Sequence, residues 1–384
     1  MLKEPIYIQS YASISALGTD KEEIWNNYLT NNHLFTEMNI SELSCFVSKI
    51  DQDKEVELYK ILDSDSKYKH IDRSVLLALF VSRKAVLEST INDQLMGINF
   101  GSSRGATELF EKYYDEFKKT KQVSTFTSPA TTLGNISSWV SHDLQLQGPE
   151  ISHSITCSTG LHAVLNGIAW LQAGFSSTFL VGASEASLTP FTLAQLAALK
   201  VYSKSNDEYP NKALDFSKKY NSMVLGEAAV AMILSKQAEN ALGKIIGIGY
   251  ATEVLSSGTS ISTDALCFQK SMRMAINDYE LSSIDAIIMH APGTIQGDLT
   301  EFHAIQCLFG ESIPLVTSNK WKIGHTFASS GLLSMELALL MLEKQHFISS
   351  PFYPQNSEKP LKRILVNAVG FGGNAVSILI EKNL

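Results

Sequence analysis

Short runs of β-branched and apolar residues alternate along the chain with segments of helical periodicity. The runs at 6–10, 97–101 and 178–183 predict buried strands, and the apolar spacing over 74–87 predicts a helix. Asp20 is followed by Lys-Glu-Glu, so a capping oxygen and early carboxylates favour the beginning of another helix there. This mixed order favours an α/β protein built in layers.

Two segments of the sequence repeat each other. Segment 157–171 begins Cys-Ser-Thr-Gly-Leu and segment 328–342 begins Ala-Ser-Ser-Gly-Leu, and each continues as an apolar helical pattern. Strand patterns follow at 224–234 and 370–380. Few polar residues interrupt the two helices, which predicts that both are buried in a central layer between sheets. The repeat indicates an internally duplicated fold, although such turns also recur by chance in α/β proteins.

The composition predicts one compact unit. The chain has 384 residues, of which 45% are hydrophobic and 18% charged, enough to bury a large core. No Pro-, Ser- or Gly-rich linker separates its parts, so we expect halves that share an interface.

The net charge of -8 gives no general reason to bind nucleic acid or an anionic membrane, and an acidic partner would need a local basic patch. The first residues lack the basic and apolar pattern of a signal peptide, and the most apolar later run, 332–342, contains Glu336. We therefore expect a cytoplasmic protein with no membrane insertion and no nucleic-acid partner.

One of the four cysteines stands in a reactive context. Their irregular spacing supports neither a metal site nor a disulfide framework, and a lone cysteine is commonly just a small buried apolar residue. Cys157, however, follows a β-rich run at 151–156 and precedes small residues and a helix, where N–H groups and the helix dipole favour a thiolate. This position predicts an activated nucleophile.

Two histidines lie in comparable positions in the second half. His290 ends the apolar run 286–289 and is followed by Ala-Pro-Gly-Thr, and His325 directly precedes the second copy of the repeat. Each alone is compatible with an ordinary core or surface histidine. In a duplicated fold, equivalent turns can bring one cysteine and two histidines to a single pocket.

Several separated motifs occur in a recognisable order. They are Ser154-Ile-Thr-Cys157-Ser-Thr-Gly, His290 with Gly293-Thr294, Gly297-Asp298 and Glu301, Ser318-Asn-Lys320 with Gly324-His325, and Asn367-Ala-Val-Gly-Phe371-Gly-Gly-Asn374. Over essentially the whole chain the sequence resembles the Cys-His-His beta-ketoacyl-acyl-carrier-protein synthases of the thiolase superfamily. The resemblance implies a duplicated five-layer αβαβα fold, with an N-terminal half at 1–240 carrying the nucleophile and a C-terminal half at 241–384 carrying both histidines.

The resemblance also implies a decarboxylative Claisen condensation. Cys157 would take the acyl chain from a carrier thioester, with the N–H groups of Cys157 and Phe371 as the oxyanion hole. His290 and His325 would bind the malonyl thioester carbonyl and stabilise the enolate left by loss of carbon dioxide. Phe371, between two glycines, would be the mobile gate of the acyl pocket.

Further residues follow from the same resemblance. Lys320 would support the second histidine, Glu301 would pair with Lys320, and Thr294 would bind the carrier arm. Two positions depart from the family pattern: Pro292 offers no hydroxyl to that arm, and Val369 stands where the family commonly has Phe.

The implied partner is an acyl carrier protein, which brings the phosphopantetheine, and we expect no other cofactor and no metal. The predicted docking residues are Lys67, Lys69, Arg73, Lys118, Lys119 and Lys121. A dimer is expected to form through the strand at 179–183, with a twin or a paralogous subunit. The alternative is that the chain is a subunit, catalytic or not, of a ketosynthase/chain-length-factor heterodimer, and Cys157 favours a catalytic chain. Fatty-acid and polyene or polyketide pathways both remain open.

Overall fold

Strands and helices alternate as the sequence pattern predicts. The computed structural model describes residues 2–40, 43–133, 135–204, 207–254 and 261–383. Within them the strands are β1 Ile6–Ile14, β2 Thr36–Ile40, β3 Leu43–Ser48, β4 Gly97–Gly101, β5 Glu150–His153, β6 Thr178–Glu185, β7 Leu225–Gly226, β8 Ala228–Ser235, β9 Gly243–Thr252, β10 Ala286–Ile288, β11 Leu315–Thr317, β12 Arg363–Gly370 and β13 Asn374–Lys382.

The α-helices of the same residues are α1 Lys21–Leu29, α2 Gln52–Ser64, α3 Arg73–Leu87, α4 Thr107–Thr120, α5 Thr127–Thr131, α6 Asn135–Leu144, α7 Thr159–Ala173, α8 Pro190–Ala198, α9 Leu266–Ile276, α10 Ile295–Phe309, α11 Lys320–Ile323 and α12 Ser330–Lys344. Short 3₁₀ turns lie at Ser66–His70, Leu281–Ser283 and Phe327–Ser329.

The main sheet shows the duplication directly. Its ten strands run in the order β11-β10-β12-β13-β9-β1-β8-β6-β4-β5. Outward from the centre, β1-β8-β6-β4-β5 and β9-β13-β12-β10-β11 follow the same succession of two antiparallel and then two parallel pairings. The halves meet where β1 pairs with β9. The predicted internal duplication is therefore confirmed.

The layers follow from how each strand divides its side chains. Alternate residues of β8 face two hydrophobic clusters, one that contains α7 and α12 and one that contains α3. The side chains of β13 also face two clusters, the one with α7 and α12 and a third with α9 and α10. Helices α7 and α12 thus lie between the two halves of the sheet, which confirms the five-layer fold. Although α12 is buried over most of its length, no helix in the described ranges is long and apolar enough to cross a membrane.

Helix starts agree closely with the sequence. Asp20 caps α1 by accepting hydrogen bonds from the N–H groups of Glu22 and Glu23, as predicted. Asp72 caps α3 through the N–H of Ser74 at 2.8 Å, so this helix begins one residue before the predicted segment.

The strand at 179–183 forms as predicted, but the prediction that a dimer pairs through it is wrong. Residues 179–183 lie in β6, which pairs with β8 on one side and β4 on the other, so this strand has no edge to offer a second chain. Within the described residues, β5 at the end of the sheet pairs only with β4. The apolar run in β6 reflects burial of its two faces, and burial of the faces says nothing about whether the hydrogen-bonding edges are free.

Candidate active site

The nucleophile turn is tight and held from several sides. Cys157 lies between β5 and α7 and is 6% exposed. Thr156 has a φ of +48°, unusual for a β-branched residue, and its carbonyl accepts hydrogen bonds from the Thr159 hydroxyl at 2.6 Å and from the Ser103 hydroxyl at 2.7 Å. This backbone geometry places the thiol at the entrance of the helix, as the sequence predicted.

Burial opposes ionisation of the thiol. Burial, together with the charge of Glu185, raises the pKa of Cys157 to about 12, although Arg104 and Lys320 act in the opposite direction. Burial thus opposes the thiolate that the helix entrance favours, and a thiolate at Cys157 stays a prediction.

The two histidines face each other. The rings of His290 and His325 have centroids 5.1 Å apart and are nearly perpendicular, at 89°. Burial lowers the pKa of His290 well below its usual value, and burial with Lys320 lowers that of His325 to about 3. Both rings are consequently neutral near pH 7, and each can present one N–H and one lone pair.

A hydroxyl at the beginning of α12 contacts the second histidine. Ser330 Oγ lies 2.9 Å from His325 Nδ1 and accepts a hydrogen bond from the Thr326 N–H at 3.0 Å. Its own hydrogen is therefore available to Nδ1. If it is donated there, the ring proton resides on Nε2.

Lys320 and Glu301 are both buried behind the histidines, but no direct ion pair joins them among the described residues. Lys320 Nζ donates to Asn319 Oδ1 at 2.9 Å, and burial lowers the pKa of Lys320 to about 8. Glu301 instead accepts hydrogen bonds from the N–H groups of His290 and Ala291, each at 2.9 Å. Glu301 thus fixes the turn that carries His290 and acts on Lys320 only through space.

The C-terminal glycine motif closes against the nucleophile turn. A β-carbon at Gly370 would collide with the Thr156 side chain and lie 2.8 Å from the Ile155 carbonyl oxygen, so only glycine fits this approach. Phe371 follows at the tip between β12 and β13 and is 38% exposed. The role of Phe371 as the gate of the acyl pocket stays a prediction.

The thiol, the two imidazoles and the Phe371 side chain line one cavity of about 270 Å³. Its lining includes Cys157, Leu196, Leu199, Val201, Asn221, Met223, His290, Pro292, Thr294, Gln296, His325, Phe327, Val369 and Phe371. The hydroxyl of Thr294 also caps α10 by accepting the Gly297 N–H at 3.1 Å. Among the described residues, no group of three or more potential metal-ligating side chains assembles.

Family comparisons agree with this geometry. The family model described as "Beta-ketoacyl synthase, N-terminal domain" matches residues 3–240, and the one described as "Beta-ketoacyl synthase, C-terminal domain" matches residues 242–351. The chain belongs to the beta-ketoacyl synthase family. The expectation of a condensing acyltransferase is confirmed with it.

Relatives of this beta-ketoacyl synthase include the 3-oxoacyl-[acyl-carrier-protein] synthase 2 of Coxiella burnetii, 24% identical, with 100% of this chain and 99% of that protein covered. The synthase 2 of Vibrio cholerae is 26% identical over 76% of this chain and 77% of its own. A solved type II polyketide ketosynthase in complex with its acyl-carrier protein has a TM-score of 0.86 at 18% identity, and the ishigamide ketosynthase/chain length factor 0.85 at 17%, each covering 99% of both chains. At such identities the solved structures establish the fold.

The predicted docking residues divide into two groups. Lys67, Lys69, Lys118, Lys119 and Lys121 are exposed. Arg73 is different, because its side chain is 21% exposed and its guanidinium is bound by Glu55 and Glu227. Because two carboxylates of this beta-ketoacyl synthase hold Arg73, its guanidinium is not free to attract an acidic partner. Arg73 is therefore not a docking residue.

Sequence reasoning missed several groups that build the site. Buried Glu185 accepts hydrogen bonds from the Ser103 N–H at 2.8 Å and the Ala328 N–H at 3.3 Å, which joins the two halves beside Cys157. Lys218 was also missed, and it forms a buried ion pair of 2.7 Å with Asp298 of the Gly297-Asp298 motif, which also accepts the Gly293 N–H. Glu185 carried one detectable signal, a carboxylate at the end of a largely apolar strand pattern.

Proposed function

We propose that this beta-ketoacyl synthase condenses a malonyl carrier protein with an acyl chain held on Cys157, with loss of carbon dioxide. The observation that supports this most strongly is the single cavity that holds the buried thiol, two neutral imidazoles and Phe371 at its rim. A thiol is the nucleophile that thioester exchange requires, and neutral N–H donors suit an enolate oxygen.

Acyl transfer comes first. The sulfur of Cys157 attacks the carbonyl carbon of the acyl thioester, the new carbon–sulfur bond forms, and the bond to the pantetheine sulfur breaks. The thiol proton finally resides on the departing pantetheine thiol, so this step neither takes up nor releases a proton. The N–H groups of Cys157 and Phe371 are the proposed donors to the tetrahedral oxyanion.

Condensation follows in the same cavity. The bond between the malonyl methylene and its carboxylate breaks, carbon dioxide leaves, and the electron pair forms an enolate whose oxygen accepts hydrogen bonds from His290 and His325. The methylene carbon then attacks the acyl carbonyl, and the carbon–sulfur bond to Cys157 breaks. The released thiolate takes up one proton, which its pKa of about 12 strongly favours.

The carrier arm would enter past Pro292 and Thr294. The Thr294 hydroxyl accepts one backbone N–H and keeps its own hydrogen and a second lone pair for the arm. Asn221 and Gln296 also line the cavity; their amide nitrogens donate to the carbonyls of Lys200 and Ile261, and the second N–H of each can replace the hydroxyl missing at Pro292. The names of the relatives support an acyl carrier protein as the partner, and the phosphopantetheine that it carries is the only prosthetic group that we propose.

The proposed assembly is a dimer, and its most suitable edge is β5 at the end of the sheet. A second copy or a paralogous subunit could extend the sheet there, since an unpaired strand presents free N–H and C=O groups. The ishigamide ketosynthase/chain length factor, with its TM-score of 0.85, makes a heterodimer the second candidate. The cysteine and both histidines favour a catalytic role for this chain in either assembly.

Intact-mass measurement after incubation with acyl carrier protein tests the proposal. The wild-type chain should gain the mass of one acyl group, and Cys157→Ala should gain none. Cys307→Ala is the matched control, because Cys307 is an exposed free cysteine outside the cavity, and it should acylate normally. An adduct mapped to Cys307, or carried by Cys157→Ala, would refute the assignment.

A further inference from the structure

Among the described residues, the side chain of one arginine near the nucleophile, Arg104, has no carboxylate partner. Of the chain's arginines, Arg73, Arg83 and Arg363 form ion pairs within the described residues, whereas Arg104 does not. Arg104 is only partly exposed, and the partner that its side chain has among those residues is a neutral amide, Gln195. A partly buried guanidinium with a single neutral acceptor retains most of its five N–H donors for another group.

The backbone of Arg104 is fixed relative to the nucleophile. Its N–H donates to Glu185 at 3.2 Å, and the preceding residue, Ser103, donates its hydroxyl hydrogen to the Thr156 carbonyl at 2.7 Å. The segment that carries Arg104 is thus bonded directly to the turn that carries Cys157.

The side chain of Arg104 lies beside the wall of the cavity. Its guanidinium carbon is 5.3 Å from the centroid of the Phe327 ring, and that ring lies 5.4 Å from the ring of His325. Gln195 precedes Leu196, which lines the cavity and packs in the same hydrophobic cluster as Cys157 and Phe327. A positive charge therefore lies next to an otherwise apolar wall near the acylated sulfur.

We propose that Arg104 determines acyl specificity at this site by binding an acceptor oxygen on the chain attached to Cys157. The favoured substrate class is an acyl group with a ketone or carboxylate oxygen within a few carbons of the thioester, in preference to a plain alkyl chain. This inference rests on the proposed function, since it assumes that Cys157 carries the acyl group.

The preference follows from desolvation. A guanidinium turned toward the cavity loses water to the bound chain, and a purely alkyl chain gives it no acceptor in return. A ketone or carboxylate oxygen supplies that acceptor, and hydrogen bonds to a charged donor are stronger than those between neutral groups. Rotation of the Arg104 side chain away from Gln195 would let it reach the bound chain.

The test uses three six-carbon N-acetylcysteamine thioesters: hexanoyl, 3-oxohexanoyl and adipoyl. Acylation of Cys157 is timed by intact mass in the wild-type protein and in Arg104→Met, which retains the length of the side chain without its charge. We expect the rate for at least one oxygenated thioester, divided by the rate for hexanoyl, to fall about tenfold in the variant. Comparing the ratios between proteins cancels the intrinsic reactivity of each thioester.

The two oxygenated probes separate the possible sources of the oxygen. A loss confined to 3-oxohexanoyl assigns a ketone, and a loss confined to adipoyl assigns a carboxylate. Arg273→Met is the matched control, because Arg273 is exposed on α9, and it should leave both ratios unchanged. Arg104→Lys serves if the methionine variant does not fold, and it should lower the same ratio by about threefold because lysine lacks the planar fork.

Unchanged ratios in a folded Arg104 variant would overturn the inference and leave the proposed function intact. If no thioester acylates Cys157 in the wild-type protein while acyl carrier protein does, the same ratios are measured with the corresponding acyl carrier proteins. If neither donor acylates Cys157, the proposed function fails and the specificity role of Arg104 fails with it.

Discussion

The turns that enter α7 and α12 are two copies of one structure with different chemistry. Thr159 and Ser330 occupy equivalent first positions in these helices. Within the described part of the chain, the Thr159 hydroxyl bonds to the backbone of its own turn, accepting from Ile155 N–H at 2.8 Å and donating to the Thr156 carbonyl. The Ser330 hydroxyl contacts the ring of His325. The same local hydroxyl therefore stabilises a strained backbone in one half and orients an imidazole in the other.

The two turns also fit against each other through glycine. A β-carbon at Gly160 would lie 2.6 Å from the Ala328 carbonyl oxygen, and one at Gly331 would lie 2.6 Å from Leu161 Cγ. This reciprocal contact lets the N-termini of both helices approach closely in the central layer. Duplication thus gave two equivalent turns at one place, and divergence of a few side chains gave one the nucleophile and the other a histidine.

The largest expected effect separates the tasks of the two halves. Replacing His290 or His325 with Ala should lower malonyl decarboxylation by about 10²–10³-fold, because each removes a donor to the enolate oxygen. Acylation of Cys157 should persist, since the nucleophile turn is unaltered. Carbon dioxide release and intact mass, measured on the same samples, check this division, and normal decarboxylation by both variants would contradict it.

The next effect concerns Glu336, in the middle of α12. The equivalent position in α7 is occupied by Leu165. Glu336 is buried and accepts a hydrogen bond from the Ser13 hydroxyl at 2.6 Å, and burial raises its pKa to about 7 from an ordinary 4.5. The pKa of Glu336 is higher in the folded protein than in the unfolded one. The contribution of its carboxyl group to the free energy of unfolding is therefore present below pH 4.5 and is lost as the pH rises through 7.

Glu336→Gln should therefore gain stability relative to the wild type as the pH rises from 4.5 to 8, by up to about 3 kcal/mol. Denaturant unfolding of both proteins at pH 5 and pH 8 measures the change. Leu165→Met, at the equivalent position of α7, is the control, and its effect on stability should not depend on pH. A pH-independent difference for Glu336→Gln would show that its carboxyl does not titrate in this range.

A smaller effect is expected at the hydroxyl of Ser330. Ser330→Ala should reduce decarboxylation about tenfold relative to acylation, because His325 loses the partner that favours its Nε2–H form. Ser329 is the matched control: it is equally buried, but its hydroxyl bonds to the carbonyls of Ala183 and Ala228. Ser329→Ala should lower thermal stability and leave the ratio of the two rates unchanged. Equal changes in that ratio for both variants would remove the role assigned to Ser330.

The smallest effect should come from the exposed lysines at the end of α4. Charge reversal of Lys118, Lys119 and Lys121 should slow carrier-dependent turnover a few-fold, and more at low salt, because exposed charges act mainly on encounter and are screened. Acylation by a small N-acetylcysteamine thioester is the control and should be unchanged. If both reactions slowed equally, the docking hypothesis would have to be abandoned.

Local patterns predicted the elements near the site well. The strand at 97–101 coincides with β4, and the helix at 74–87 differs from α3 by one residue. The turn before α7 identified Cys157, because small residues between a strand and a helix leave a recognisable sequence. Arg104, Glu185 and Ser330 escaped detection, since their roles arise from contacts with residues far away in the chain.

The sequence by itself determined the alternation of strands and helices, the duplicated helix entrances and the residue types that carry the chemistry, because periodicity and turn composition are local properties. Only the tertiary structure decided which sheet edge is free, that Arg73 is held by two carboxylates and that Glu301 binds backbone N–H groups. It also decided how strongly ionisation of Cys157 is opposed, because burial among distant segments desolvates the thiol and raises its pKa, and a local sequence pattern does not show that burial.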